Sequence, residues 1–199
     1  MTNLIVRSVA VGAVALAGSV ASAQICTSLA SFEAAIPNDP GQFNNNCNVS
    51  GSTFTGGTPA MTHTFSAPGG LYHSNSSGTF EGTNNNGDAF TVTFTTGNVY
   101  AVGGEWFFSD SSDAFVPGLQ VTLTYSDGTI DSYIPASFND FHGYVAAVPL
   151  TSVVMSVAPA GTSGAWAGTG SIITSSVPTP GAAAALGLGG LAGLRRRRR

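Results

Sequence analysis

The sequence predicts an all-β protein, a single antiparallel β-sandwich or jelly roll, and three observations carry that expectation. Short runs of alternating polarity recur between clusters of Gly, Asn, Ser and Pro, which is how strands joined by turns read. An Asp-Gly pair, Asp127-Gly128, stands between two such runs and signals a tight hairpin. Residues 24–176 have the length of one domain able to bury its own core.

Taken in order, the chain opens with one basic residue, Arg7, a run of apolar and small residues over 8–20, and Ala21-Ser22-Ala23 before Gln24. A charged start, a short apolar helix and an A-x-A exit make residues 1–23 a secretory signal peptide, removed after export. Cys26 and Cys47 follow, the only two cysteines. The secretory route puts them in an oxidising compartment, so a disulfide between them is the simplest pairing, worth about 3 kcal/mol in the chain-entropy view. Residues 28–36 have the spacing of a short helix, with Leu29, Phe32 and Ile36 on one side, and Asn38-Asp39-Pro40-Gly41 stops it.

Strands are expected next over 61–66, 90–95, 100–109, 119–125, 130–134, 141–148, 151–157 and 165–174. In 90–95 and 119–125 the apolar residues take one face and threonines the other, so one face is buried and one is wet. Asn44-Asn45-Asn46 and the run 84–88 read as loops. About eight to ten short strands in all suit a sandwich, and no fixed-period repeat points to a solenoid.

Charge narrows the function classes. All six basic residues are Arg7 and Arg195, Arg196, Arg197, Arg198 and Arg199, whereas all ten carboxylates lie in 24–176. A domain of acids without bases repels phosphate backbones, which excludes nucleic acid as a partner.

The C-terminal segment, 177–199, has its own order. Pro178, Thr179, Pro180 and Gly181 lead into a run without polar side chains over 182–194, and the five terminal arginines close the chain. The prolines mark a helix start, the apolar run can enter hydrocarbon, and the arginines hold the end on the cytoplasmic side. At about 20 residues for a full span, the run is short for a permanent anchor and reads better as a processing signal. Pro-x-Pro, a short hydrophobic helix and an Arg cluster resemble the PEP-CTERM sorting tail, here as a V-P-T-P-G variant with Thr179 where glutamate commonly stands. The resemblance implies a membrane-embedded exosortase-like transpeptidase as partner, reading Pro178 to Gly181 and Arg195 to Arg199 at the inner membrane of a Gram-negative-type bacterium.

A second likeness lies within the domain. Val99 to Phe108 (V-Y-A-V-G-G-E-W-F-F), the Tyr-Ser-Asp-Gly-Thr hairpin, Asp140-Phe141-His142-Gly143-Tyr144 and Leu150-Thr151-Ser152-Val153 follow an order similar to exported domains of PEP-CTERM proteins. That similarity implies a lectin-like sandwich.

Candidate chemistry is sparse. Asp110 and Asp113 in Asp110-Ser111-Ser112-Asp113, and Asp88 after the Asn run, are carboxylates on loops of the kind calcium takes, although no complete calcium loop is present. Aromatics able to stack on sugar rings are Trp106 and Tyr144, with Trp166 and Tyr72 also available. Glu81, Glu105 and Asp110 show no spacing that singles out a hydrolytic pair. Residues 161–165 fall short of a nucleophile elbow, and His63, His73 and His142 lack metal-ligand spacing. Thr91, Thr93 and Thr95, with Thr122 and Thr124, carry the Thr-x-Thr pattern of ice-binding arrays, which ordinary β-propensity also produces. No catalytic residue and no resident cofactor are expected.

The sequence therefore points to an exported structural or adhesive protein of the cell surface or exopolysaccharide matrix, anchored in the membrane before processing. A carbohydrate-binding module, calcium-dependent in one form, is the alternative, with a glycoside hydrolase or an ice-binding protein as remote ones.

Overall fold

The computed structural model describes residues 23–36, 39, 41–75, 79–158 and 164–176. In chain order these form β1 (Gln24–Cys26), α1 (Leu29–Ala35), β2 (Phe43–Asn45), β3 (Thr53–Gly56), β4 (Met61–Ser66), β5 (Leu71–Ser74), β6 (Phe80–Thr83), β7 (Phe90–Phe94), β8 (Ala101–Ser109), β9 (Gln120–Tyr125), β10 (Ile130–Tyr133), β11 (Phe141–Val145), β12 (Ser152–Ala158) and β13 (Trp166–Ser175). The signal helix expected before Ala23 and the whole tail 177–199 lie outside the described residues. Among the described residues no helix is long and apolar enough to cross a membrane.

The expected all-β sandwich is what forms. One sheet has the order β1-β11-β8-β13-β6-β5, with β2 also on β13, and the other has β10-β9-β12-β7-β4-β3. In the second sheet alternation decides the packing. Phe90, Val92 and Phe94 of β7, with Val121, Leu123 and Tyr125 of β9, point inward and are buried. Threonines take the outer face and meet across strands, Thr53 opposite Thr64 and Thr64 opposite Thr93. The inward side chains meet Val102, Trp106, Phe108 and Tyr144 from the first sheet in one core. Burial of each large side chain stabilises the fold by roughly 1.5–3 kcal/mol.

The first sheet is covered on both faces, so β8 is buried at every position except Glu105 and its alternation is lost. Its inner residues Val102, Trp106 and Phe108 enter the main core. Its outer residues Ala101 and Phe107 meet a helix at one end and an aromatic cluster at the other. That helix is α1, started by Ser28, which accepts from the Ser31 amide in a capping box. Phe32 and Ile36 of this segment are buried, but Leu29, expected on the same side and the first residue of the helix, is 42% exposed. Phe32 rests on Gly143, where a Cβ would stand 2.6 Å from the ring. A glycine is required there for the helix to lie this close.

Three expectations change. The Asn44-Asn45-Asn46 loop is partly β2, whose Asn45 pairs with Ile172. Polar composition hid it, since Asn45 is buried and held by His63 rather than by water. The strands β1, β3, β5 and β6, of three or four residues each, are too short to show periodicity. The Cys26–Cys47 disulfide does not form, and both thiols are free and buried. Cys26 lies under α1 on the outer face of the first sheet, while Cys47 lies in the core between the sheets. The sheet itself stands between the two sulfurs.

Burial, followed by the negative charge of Glu81, pushes the Cys47 thiol up to about 12, so it is neutral and unreactive in the folded chain. A thiol reagent added to the full-length chain is therefore expected to react with both cysteines only after denaturation, and reductant should leave the melting temperature unchanged. Thiols that stay blocked in denaturant until reductant is added would contradict this arrangement.

Candidate functional site

The largest change from expectation concerns the aromatics. Trp106 and Tyr144 are each 1% exposed and point between the sheets. The indole Nε1 of Trp106 donates to the His142 carbonyl at 3.1 Å, and its own carbonyl accepts from Tyr133 Oη at 3.1 Å. Tyr144 Oη donates to Asp127 Oδ2 at 2.6 Å and meets Thr129 Oγ1 at 2.9 Å, which ties β11 to the β9–β10 hairpin. Beside them His142 Nδ1 meets Asp131 Oδ2 at 2.8 Å and its ring stacks on Tyr133 at 3.3 Å. These groups sew one edge of the two sheets together and offer no face to a ligand.

Tyr72 and Trp166, by contrast, stand at a cleft of about 210 Å³. Tyr72 comes from edge strand β5 and Trp166 from the first residue of β13. Register explains their placement: Tyr72 lies opposite Gly82, and Trp166 opposite Ser109, all on the outer face of the first sheet. Between them β6 and β13 approach through a facing pair of glycines, Gly82 and Gly168. A Cβ on either would stand 2.9 or 3.0 Å from a backbone carbonyl oxygen, so the cleft floor closes only with glycine at both.

The 110–114 turn forms the opposite wall. Asp110 Oδ1 accepts from the Ser112 and Ala114 amides at 2.8 and 3.0 Å, which shapes the turn. Asp113, at φ 61, tucks inward until it is 8% exposed. Its Oδ2 accepts from Ser74 Oγ at 2.6 Å and from Tyr72 Oη at 3.1 Å. The bond to Asp113 holds the Tyr72 phenol above its ordinary pKa and fixes the ring at the rim. Asn84 completes the mouth by accepting the Trp166 indole N–H on its carbonyl at 3.3 Å.

One polar atom beneath the cleft floor is unusual. Thr83 follows Gly82 on β6, so its side chain turns to the inner face opposite Leu71, where its fully buried Oγ1 has no hydrogen-bond partner among the described residues. Such a hydroxyl is costly to leave unmatched.

Asp110 and Asp113, expected as calcium ligands, are thus brought to one cleft, but Asp110 Oδ1 and Asp113 Oδ2 serve protein donors. Asp88 likewise accepts from the Gly69 amide at 2.8 Å and shapes a turn. Among the described residues no three His, Cys, Asp or Glu side chains gather as a metal site. The carboxylates considered for hydrolysis also separate. Glu81 shares the inner face with Trp106 through Thr169, accepts from the Gly51 amide at 3.2 Å and meets His73 Nδ1 at 2.8 Å. Glu105 points to the outer face into a second cavity of about 260 Å³ beside Phe107, Phe138 and Gly170. Burial raises both carboxyls, yet a sheet lies between them.

Tyr72 and Trp166 are among the aromatics the sequence offers, whereas Asn84 and Ser74, polar residues in or beside a four-residue strand, carry no sequence signal of their own. Compared with protein-family models, curated proteins and solved structures, the chain has no match.

Proposed function

We propose that this chain is an exported, non-catalytic surface protein, made with a removable signal peptide and handed by its C-terminal tail to an exosortase-like transpeptidase. In this reading the sandwich is released from the inner membrane and held at the cell surface or in the exopolysaccharide matrix, with a structural or adhesive role.

One observation carries the reading, the segregation of charge. Ten carboxylates sit in 24–176 without a single Lys or Arg, and every basic residue sits in a flanking segment shaped as an address. Such a domain is repelled by nucleic acid and anionic lipid and stays soluble outside the cell. Asp131, His142, Glu81, His73 and Asp127 bond across strands or turns, which suits a role in holding the sandwich together.

The test replaces Arg195 to Arg199 with serines in the native host and follows the full-length protein by fractionation. The expected outcome is an unprocessed precursor and a surface or matrix fraction at least about tenfold poorer in the protein, since orientation at the membrane depends on the arginines. An unchanged distribution would remove the sorting role.

A further inference from the structure

We infer that the cleft between Tyr72, Trp166 and the 110–114 turn is a binding site for one uncharged sugar unit of a longer neutral saccharide. The inference stands on residues within the sandwich and holds whether or not the tail is processed.

Four features of the cleft converge on that ligand. First, two aromatic rings stand at its rim, one on each side: Tyr72, 42% exposed, and Trp166, partly exposed. Partly exposed aromatics held in place by their polar ends suit a ligand with one apolar and one polar aspect, as a pyranose has. Both are held, Tyr72 by Asp113 and Trp166 by the Asn84 carbonyl, so little side-chain freedom is lost on binding. Second, the wall offers a hydrogen-bond acceptor. Asp110 has its Oδ1 engaged by the turn, which leaves Oδ2 to accept from a hydroxyl.

Third, size fits. At about 210 Å³ the cleft is smaller than the 300 Å³ or more typical of drug-sized ligands, so it takes one ring and not a folded chain. It opens at the sheet edge, where neighbouring units of a polymer would run out into solvent. Fourth, charge selects. Two carboxylates, Asp110 and Asp113, line the site and no Lys or Arg occurs anywhere in the domain. A uronate, sulfated or phosphorylated sugar would meet uncompensated negative charge, so the neutral ring is favoured.

The experiment uses the full-length chain, solubilised in mild detergent, on an array of neutral homo-oligosaccharides of one to six units with uronic-acid and amino-sugar counterparts alongside. Wild type is expected to bind neutral oligosaccharides, and Trp166→Ala and Tyr72→Ala to lose at least about tenfold in affinity, the range for removing a central aromatic anchor. Asp110→Asn tests the wall: it should weaken binding several-fold while the melting temperature holds, because the variant keeps the Oδ1 that shapes the turn and removes only the Oδ2 acceptor. Binding by Asp110→Asn equal to wild type, unaltered binding by both rim variants, or wild-type binding confined to charged sugars or absent throughout would overturn the inference. Because Asp110→Asn and Tyr72→Ala do not touch the main packing of β13, a folding defect in Trp166→Ala leaves the test intact.

Discussion

Replacing Trp106 with alanine is expected to lower stability by about 3–5 kcal/mol, the cost of emptying a large, fully enclosed core position. Trp106 is 1% exposed, and the inward-facing side chains of both sheets meet around it. Two hydrogen bonds also depend on its place, from its indole to His142 and from Tyr133 to its carbonyl. Folded domains are stable by only about 5–15 kcal/mol in total, so the variant should be marginal at ambient temperature. Urea denaturation of the full-length protein measures the effect directly. A denaturation midpoint equal to wild type, with saccharide binding lost instead, would mean that Trp106 is a contact residue and that its packing is misread.

The second large effect comes from acid. His63 points inward from β4 among the rings of Phe43, Phe54 and Phe65, at centroid distances of 5.3, 5.6 and 5.1 Å. Its Nε2 meets Asn45 Nδ2 at 3.1 Å, and its Nδ1 has no partner among the described residues. Burial pushes its pKa down from 6.5 to about 4, so the folded state holds it neutral while the unfolded chain takes a proton more readily. The resulting stability is fully present above the unfolded value and is lost as pH falls from about 6.5 to about 4, amounting to roughly 3 kcal/mol at the acid end.

Glu81 and Glu105 act with the opposite sign. Burial raises both, so protonating them favours the folded state as pH falls through their raised values and makes the net slope shallower. The diagnostic variant is His63→Gln, which keeps a polar group near Asn45 and removes the titration. Its stability between pH 6.5 and 4 should vary by markedly less than that of wild type. Parallel curves for the two proteins would exclude His63 as the source of acid sensitivity.

Legibility followed burial geometry. Strands with one wet face, such as β4, β7 and β9, were readable because apolar and hydroxyl residues alternate along them. The Asp127-Gly128 hairpin was readable for its turn chemistry, and the structure adds why it is fixed, through Tyr144. The first sheet was harder. Covering both faces erases alternation in β6, where Phe80, Glu81, Gly82 and Thr83 are all buried. Which aromatics are wet could not be read either, because Trp106 and Trp166 differ only in register and in what covers their strand end. The same holds for the thiols: compartment and count suggest a bridge, and only the placement of Cys26 under α1 and Cys47 between the sheets forbids it.

In the proposed reading the two ends of the chain are addresses and the sandwich between them is the working molecule. Mass spectrometry of the terminal peptides, on protein isolated from the native host, tests it most directly. The expected result is an N-terminus at Gln24 and a C-terminus that precedes Arg195. A chain recovered from the cytosol with Met1 and Arg199 both in place would contradict it.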